Sequence, residues 1–135
     1  MVIDASALTE VVLDRPETRA NLRAALSEAP FSWLHAPELI DLEVVNTLRR
    51  LVSASLITER RATEAVSDIG RARIRRHRHG SLRRRIWALR NELTAYDASY
   101  LALAERLGAA LITSDAGLAA RARDALGAAR VRHLG

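Results

Sequence analysis

The amino-acid sequence predicts an α/β fold in one domain over residues 1–135, with a mainly parallel central sheet flanked by helices. Short apolar runs alternate with longer stretches of helical periodicity, the pattern of strand–helix–strand units. Two of these runs, Val2-Ile3 and Ala109-Ala110-Leu111-Ile112, each lead within three residues to a carboxylate, Asp4 and Asp115. A chain of 135 residues can also bury roughly two thirds of its unfolded surface around a single core. If both strands are central and parallel, Asp4 and Asp115 emerge on the same edge of the sheet. In open α/β sheets that edge, beyond the carboxyl ends of the strands, is where ligands bind.

The elements follow in order. After the first strand, Ala7 to Leu13 reads as a short helix closed by Asp14-Arg15-Pro16. Pro16 suits the first turn of a second helix running to about Glu28, with Leu22, Ala25 and Leu26 as its apolar stripe. Pro30 punctuates, and Phe31-Ser32-Trp33-Leu34 reads as the second strand. Pro37 and Glu38 predict a helix start, since proline is tolerated at the first position and an acid suits the helix dipole; this helix runs to about Val52. Thr58 caps a helix to about Ile69. Residues 70–80 read as extended loop with room for a short strand, and Ser81 as the cap of a helix to about Asn91. Thr94 and Asp97 stand at capping-box spacing and open a long helix that Gly108 terminates. The strand before Asp115, a helix over Ala116 to Leu126 and a short strand near Val131 complete the chain.

Composition excludes several kinds of chemistry. The absence of cysteine leaves no disulfide framework, no thiolate nucleophile and no cysteine-based zinc site. No apolar run approaches a membrane span, so no membrane association is expected and the cytoplasm is the expected compartment. With 49% hydrophobic but only 4% aromatic residues, the core must be built mostly from Ala, Leu, Val and Ile.

The charge is placed unevenly. Residues 71–90 hold nine arginines and no acid, while the rest of the chain carries a net charge of −4. Every basic residue is arginine, whose planar fork suits phosphate. Arg73, Arg75, Arg76, Arg78, Arg83, Arg84 and Arg85 are therefore candidate phosphate contacts to a nucleic acid, against the alternative of a solvated face.

Four carboxylates carry the candidate chemistry. Asp4 and Asp115 can each be a helix cap, but both at equivalent strand ends imply more. Glu43 shares a helix face with Asn46, Thr47 and Arg50 by i, i+3, i+4 and i+7 spacing, beside an apolar stripe of Val44, Val45, Leu48, Leu51 and Val52. Asp97 has Tyr100, Leu101 and Ala104 at i+3, i+4 and i+7, so it stands on an apolar stripe and must be paired, capped or metal-bound. Converged, the four form a hard-oxygen donor set for Mg²⁺ or Mn²⁺. No Ser-His-Asp set accompanies them; His35, His77, His79 and His133 fall in edge or basic segments.

These residues resemble a known family. Val-Ile-Asp-Ala-Ser at residues 2–6, the run from Pro37 to Arg50, the run from Leu93 to Glu105 and Leu-Ile-Thr-Ser-Asp at residues 111–115 are together similar to a PIN-domain ribonuclease, most closely a VapC-type toxin of a bacterial toxin–antitoxin pair. The likeness spans essentially the whole chain and implies a PIN-like three-layer fold. It implies that Asp4, Glu43, Asp97 and Asp115 are catalytic and metal-binding. It further implies Mg²⁺-dependent endonucleolytic cleavage of RNA, with Mn²⁺ as a possible substitute, a homodimer, and a VapB-type antitoxin partner. Thr113 and Ser6 match hydroxyl residues near the last and first Asp and are secondary site candidates.

Two other readings compete. A receiver-like signalling domain also places acids at strand ends, but such domains usually carry a lysine near a late strand and this chain has none. A non-catalytic RNA-binding module would use the arginine segment alone and leave RNA intact.

Overall fold

The computed structural model describes residues 1–27 and 33–135. Among the described residues five strands, β1 (Val2–Ile3), β2 (Leu34–Pro37), β3 (Ile74–His77), β4 (Leu111–Thr113) and β5 (Val131–His133), form one sheet in the order β3-β2-β1-β4-β5. Every pairing is parallel. Among the described residues seven helices flank it: α1 (Ala5–Val12), α2 (Pro16–Ser27), α3 (Ile40–Ser53), α4 (Glu59–Arg71), α5 (Arg83–Ala88), α6 (Ala95–Leu107) and α7 (Ala116–Leu126). The α/β expectation and the three-layer arrangement hold.

The chain starts in the middle of the sheet, winds outward through β2 and β3, then returns to lay β4 and β5 on the other side. Right-handed crossovers then place α1–α4 on one face and α5–α7 on the other. The packing agrees: α1, α3 and α4 touch one another, as do α5, α6 and α7 in sequence. The direction of winding reverses between β1 and β4, the point at which such sheets open a binding crevice. A receiver-like domain has the order 2-1-3-4-5, so the topology here removes that reading.

Burial follows from this arrangement. Val2, Ile3, Leu111 and Ile112 are fully enclosed because helices cover both faces of the central strands. From α6 the run Ala98–Ala104 is buried almost continuously, small residues letting the helix lie close on the sheet. From α3 the core takes Ile40, Val44 and Leu48, while Val45, expected in the stripe, is 44% exposed.

Several helix ends match their sequence signals. The Thr58 and Thr94 hydroxyls accept from the backbone N–H groups of Arg61 and Asp97. Gly108 ends α6 at φ +59°, a left-handed conformation that glycine adopts without strain. Pro16 opens α2, of which Leu22 and Ala25 are buried.

Other boundaries move. The second strand lies at Leu34–Pro37 rather than over residues 31–34, of which 31 and 32 fall outside the described residues, as do the expected helix end at Glu28 and the break at Pro30. Pro37 accordingly closes a strand instead of opening a helix, and α3 begins at Ile40. The reason is nonlocal: Ala36 and Pro37 pair with Arg76 and His77 of β3. Proline is tolerated there because its nitrogen is on the β1 side, where the pairing extends only to His35, while the Glu38 N–H serves His77 of β3. Asp4 caps α1, which therefore starts at Ala5 and not Ala7. Residues 70–80 do contain a strand, β3. The helix expected from Ser81 to Asn91 shortens to six residues, preceded by Leu82 without a side-chain cap. Three arginines in its first turn oppose the helix dipole, and buried Leu82 and Leu89 pin its two ends.

Arg76 is a fastening of this fold. Its guanidinium pairs in fork geometry with Asp41 of α3, Nε to Oδ2 and Nη2 to Oδ1 at 2.7 Å each. It also donates to the backbone oxygens of Ile74 and Ile69. It thereby joins β3, the end of α4 and the first turn of α3. Arg76→Gln is expected to lower stability by about 1 kcal/mol, some 3–5 °C in thermal midpoint, whereas Arg73→Gln and Arg78→Gln, on the exposed surface, leave the midpoint unchanged; circular-dichroism melts of the three variants check this.

Candidate functional site

Four carboxylates from four elements border one cleft at the carboxyl end of the sheet. Its volume is about 310 Å³, and its walls include Asp4, Glu43, Asp97 and Asp115. The register explains the centre of the site. Val2 pairs with Leu111 and Ile3 with Ile112, so Asp4 stands level with Thr113 and Asp115 lies just beyond.

Asp4 is 4% exposed, so its charge must be compensated from within the protein. The Ala7 N–H donates to Oδ1 at 2.9 Å. The Thr113 hydroxyl donates to Oδ2 at 2.6 Å, and Ser6 Oγ lies 2.8 and 2.9 Å from the two oxygens. The two hydroxyls are themselves fixed, Ser6 Oγ accepting from the Ser114 N–H and Thr113 Oγ1 from the Asp115 N–H, each at 2.9 Å. Ser6 and Thr113 are thus the side chains that hold Asp4 and stitch β1 to β4.

Asp115 caps α7 through Oδ1, which accepts from the Leu118 N–H at 2.8 Å. Gly117 leaves room for it: a Cβ there would stand 3.1 Å from that oxygen. Glu43 projects from the first turn of α3 and accepts the hydroxyl of Tyr100, the largest fully buried side chain. Asp97, in the first turn of α6, is held by its hydrogen bonding with Thr94. Capping and site membership therefore coexist at Asp4 and Asp115.

The carboxylates share one electrostatic field. Burial raises the Asp4 carboxyl to about 6, opposed by its three hydrogen-bond donors and assisted by the charge of Asp115. Burial raises Glu43 as well, with Asp97 and Asp4 adding to the rise and Tyr100 opposing it. Asp97 is raised by burial and by Asp115. Tyr100 is pushed far up by burial and by the Glu43 hydrogen bond, so it remains a protonated donor.

Such an arrangement suits a hard divalent cation. All four groups are carboxylates, and their mutual repulsion and partial desolvation are relieved by positive charge. Among the described residues no three His, Asp or Glu side chains are drawn close enough to enclose an ion by themselves. The four border a gap instead, which fits a cation that keeps part of its water shell and takes only one or two carboxylates directly.

The arginines divide into two groups. Arg76 and Arg85 are each committed to a carboxylate in fork geometry, to Asp41 and to Glu105. Arg73, Arg75, Arg78, Arg83 and Arg84 stand exposed, with Arg75 5.8 Å from the centre of the Trp33 ring. None of the seven lines the acidic cleft, and neither do the histidines. His35 Nδ1 and His77 Nε2 lie 2.8 Å apart on neighbouring strands, and His79 stands 3.8 Å from Glu38.

Several contributors escaped the sequence reading, Asn46, Thr47 and Arg50 of the cleft lining among them. The Tyr100 hydroxyl reaches Glu43, though its i+3 spacing from Asp97 was a signal. Gly117, two residues after a strand-end Asp, signalled a tight approach. Glu10, outside the cleft lining, accepts from Ser114 Oγ at 3.2 Å and from the Thr18 hydroxyl and had no signal in its spacing.

The folded protein holds the Asp4 proton more tightly than the unfolded chain does, so ionising Asp4 costs stability as pH rises from about 4 to about 6. Asp4→Asn removes that cost. The metal-free variant is expected to be more stable than the wild type above about pH 7, by at most about 3 kcal/mol, with the gap closing as pH falls toward 4. Thermal melts across this range decide; a pH-independent difference contradicts the assignment.

Comparison with known proteins agrees with the geometry. Residues 1–124 match the PIN domain family. The chain is 36% identical over 115 residues to Ribonuclease VapC9 of Mycobacterium tuberculosis, covering 85% of each chain. It is 37% identical over 120 residues to Ribonuclease VapC1 of the same organism, covering 88% of each. With Ribonuclease VapC12 the identity is 35% over 119 residues, 88% of this chain and 89% of the relative. A parallel sheet with carboxylates at its switch point, matched along nearly its whole length, makes this chain a member of the PIN domain family, on its VapC branch.

Proposed function

We propose that this protein is a divalent-metal-dependent endoribonuclease, the toxin of a VapBC-type toxin–antitoxin pair. The observation that carries the reading is the convergence of Asp4, Glu43, Asp97 and Asp115 on one cleft. The names of the relatives, all ribonucleases, support RNA as the substrate. Mg²⁺ is the proposed cofactor, with Mn²⁺ as a substitute, and the proposed partners are a VapB-type antitoxin and a second copy of the chain. No helix among the described residues is long and apolar enough to cross a membrane, and the cytoplasm is the proposed site of action.

A bound divalent cation supplies acidification of a water molecule and neutralisation of charge on the phosphoryl group. The chain's own residues do the rest. Asp4 is kept in one orientation by Ser6, Thr113 and the Ala7 N–H, so its oxygens need no rearrangement when charge arrives. Tyr100 holds Glu43 toward the cleft as a hydrogen-bond donor. Asp115 is aimed by the Leu118 N–H. Asp97 stands where the α6 dipole favours its anion.

The test is to incubate purified protein with total cellular RNA, in Mg²⁺ or in EDTA, and to map the cut ends. Cleavage is expected in Mg²⁺ only, and Asp97→Asn is expected to abolish it with an unchanged circular-dichroism spectrum. Undiminished cutting in excess chelator removes the metal-dependent mechanism. RNA bound but left intact in both conditions favours a non-catalytic binding module instead.

The exposed arginines of residues 71–90 are proposed to set binding strength through phosphate contacts. Replacing Arg73, Arg75 and Arg78 with Gln is expected to weaken single-stranded RNA binding and to flatten its dependence on log salt by roughly 0.7 unit per lost contact. An unchanged slope in fluorescence titrations would show that these side chains do not meet the RNA backbone.

A further inference from the structure

We propose that Asn46, Thr47 and Arg50 of α3 form a phosphate-binding wall of the cleft, which receives an RNA phosphodiester beside the acidic residues. This rests on the ribonuclease reading and assigns the part of the site that meets the substrate's anion. The three side chains share a helix face with Glu43 by i+3, i+4 and i+7 spacing, and all four line the cleft. The cleft lining is thus of two chemical kinds: four carboxylates, which accept hydrogen bonds and repel a phosphate, and the three α3 side chains, which present donors.

The hydrogen bonds within this wall keep the donors available. Arg49 Nε donates to Asn46 Oδ1 at 3.1 Å, which leaves the Asn46 amide nitrogen free to donate. Arg50 Nη2 donates to Thr47 Oγ1 at 3.3 Å, and the Thr47 hydroxyl keeps its own hydrogen for a further acceptor. Arg50 is exposed and, among the described residues, forms no ion pair with any carboxylate, although it borders a cleft walled by four of them. Arg76 and Arg85, by contrast, are held by carboxylates and serve the fold. Among the described residues Arg50 makes no side-chain hydrogen bond or ion pair to another element, so its fixed positive charge is left for a ligand. A planar guanidinium with flanking amide and hydroxyl donors matches the oxygens of a phosphodiester. Set among the acidic residues, it offsets the repulsion that the carboxylates exert on an incoming strand.

The test is equilibrium binding of a labelled single-stranded RNA oligonucleotide to the full chain in EDTA, where cutting is suppressed, followed by kinetics in Mg²⁺. Arg50→Ala is expected to weaken binding about tenfold and to lower the log–log salt slope by roughly 0.7. In kinetics the loss should fall mainly on KM. Arg50→Lys should recover part of the affinity, because the charge returns without the fork. Arg60→Ala, on α4 outside the cleft, serves as a control for bulk charge and should bind like the wild type. Thermal midpoints should not change, and direct calorimetric titration with Mn²⁺ should show metal affinity no weaker in Arg50→Ala than in the wild type. If the wild type binds and cuts RNA while Arg50→Ala keeps its affinity and slope, the phosphate wall is wrong and the ribonuclease reading stands. If the wild type neither binds nor cuts RNA, both fail.

Discussion

The buried Asp4 carboxylate is the constraint around which the molecule is arranged. A charge with 4% exposure is tolerated only if its oxygens are supplied with donors, and here those donors come from β4 and from the helix it caps. Thr113 reaches it across the β1–β4 register, and Ser6 reaches it from the next turn while bonding the backbone of Ser114. Moving the register by one residue would turn Thr113 to the opposite face of the sheet and break this set. The site and the centre of the sheet are therefore one structure.

Winding outward from β1 in both directions brings distant segments to the same edge. Asp115 arrives with β4, Asp97 with the start of α6, and Glu43 with the start of α3. Two of the four cap helices, and all four lie in or at the first turn of a helix on whose positive end an anion is favoured. Helix dipoles alone do not cancel the mutual repulsion, which still raises Asp4, Glu43 and Asp97 above their ordinary values behind the larger effect of burial. A site of this kind trades stability of the bare fold for affinity toward positive charge, as metal centres do.

The arginines show how one residue type serves different ends according to its surroundings. Arg76 has Asp41 and two backbone carbonyls within reach and fastens three elements. Arg85 is matched by Glu105. Arg50 stands among carboxylates yet pairs with none of them, and Arg73, Arg78, Arg83 and Arg84 face solvent. Charge counting alone treats these side chains as equivalent, because it carries no information about which carboxylate stands opposite each one.

Much of this protein was determined by local sequence. The α/β class, the caps at Thr58 and Thr94, the end at Gly108 and helix α7 follow from propensities and hydrogen bonds that act within a few residues. The four acidic positions were legible as well, two at the ends of apolar runs and the full set through the resemblance of their motifs to the PIN family. What local sequence left open depended on contacts between distant segments. Pro37 ends a strand because its partner is His77, and α5 is short because Leu82 and Leu89 are buried by other elements. The Tyr100–Glu43 hydrogen bond joins residues 57 apart, and the Asp41–Arg76 pair joins residues 35 apart. Periodicity shows which face of a helix is apolar, but only the packed structure decides what that face meets.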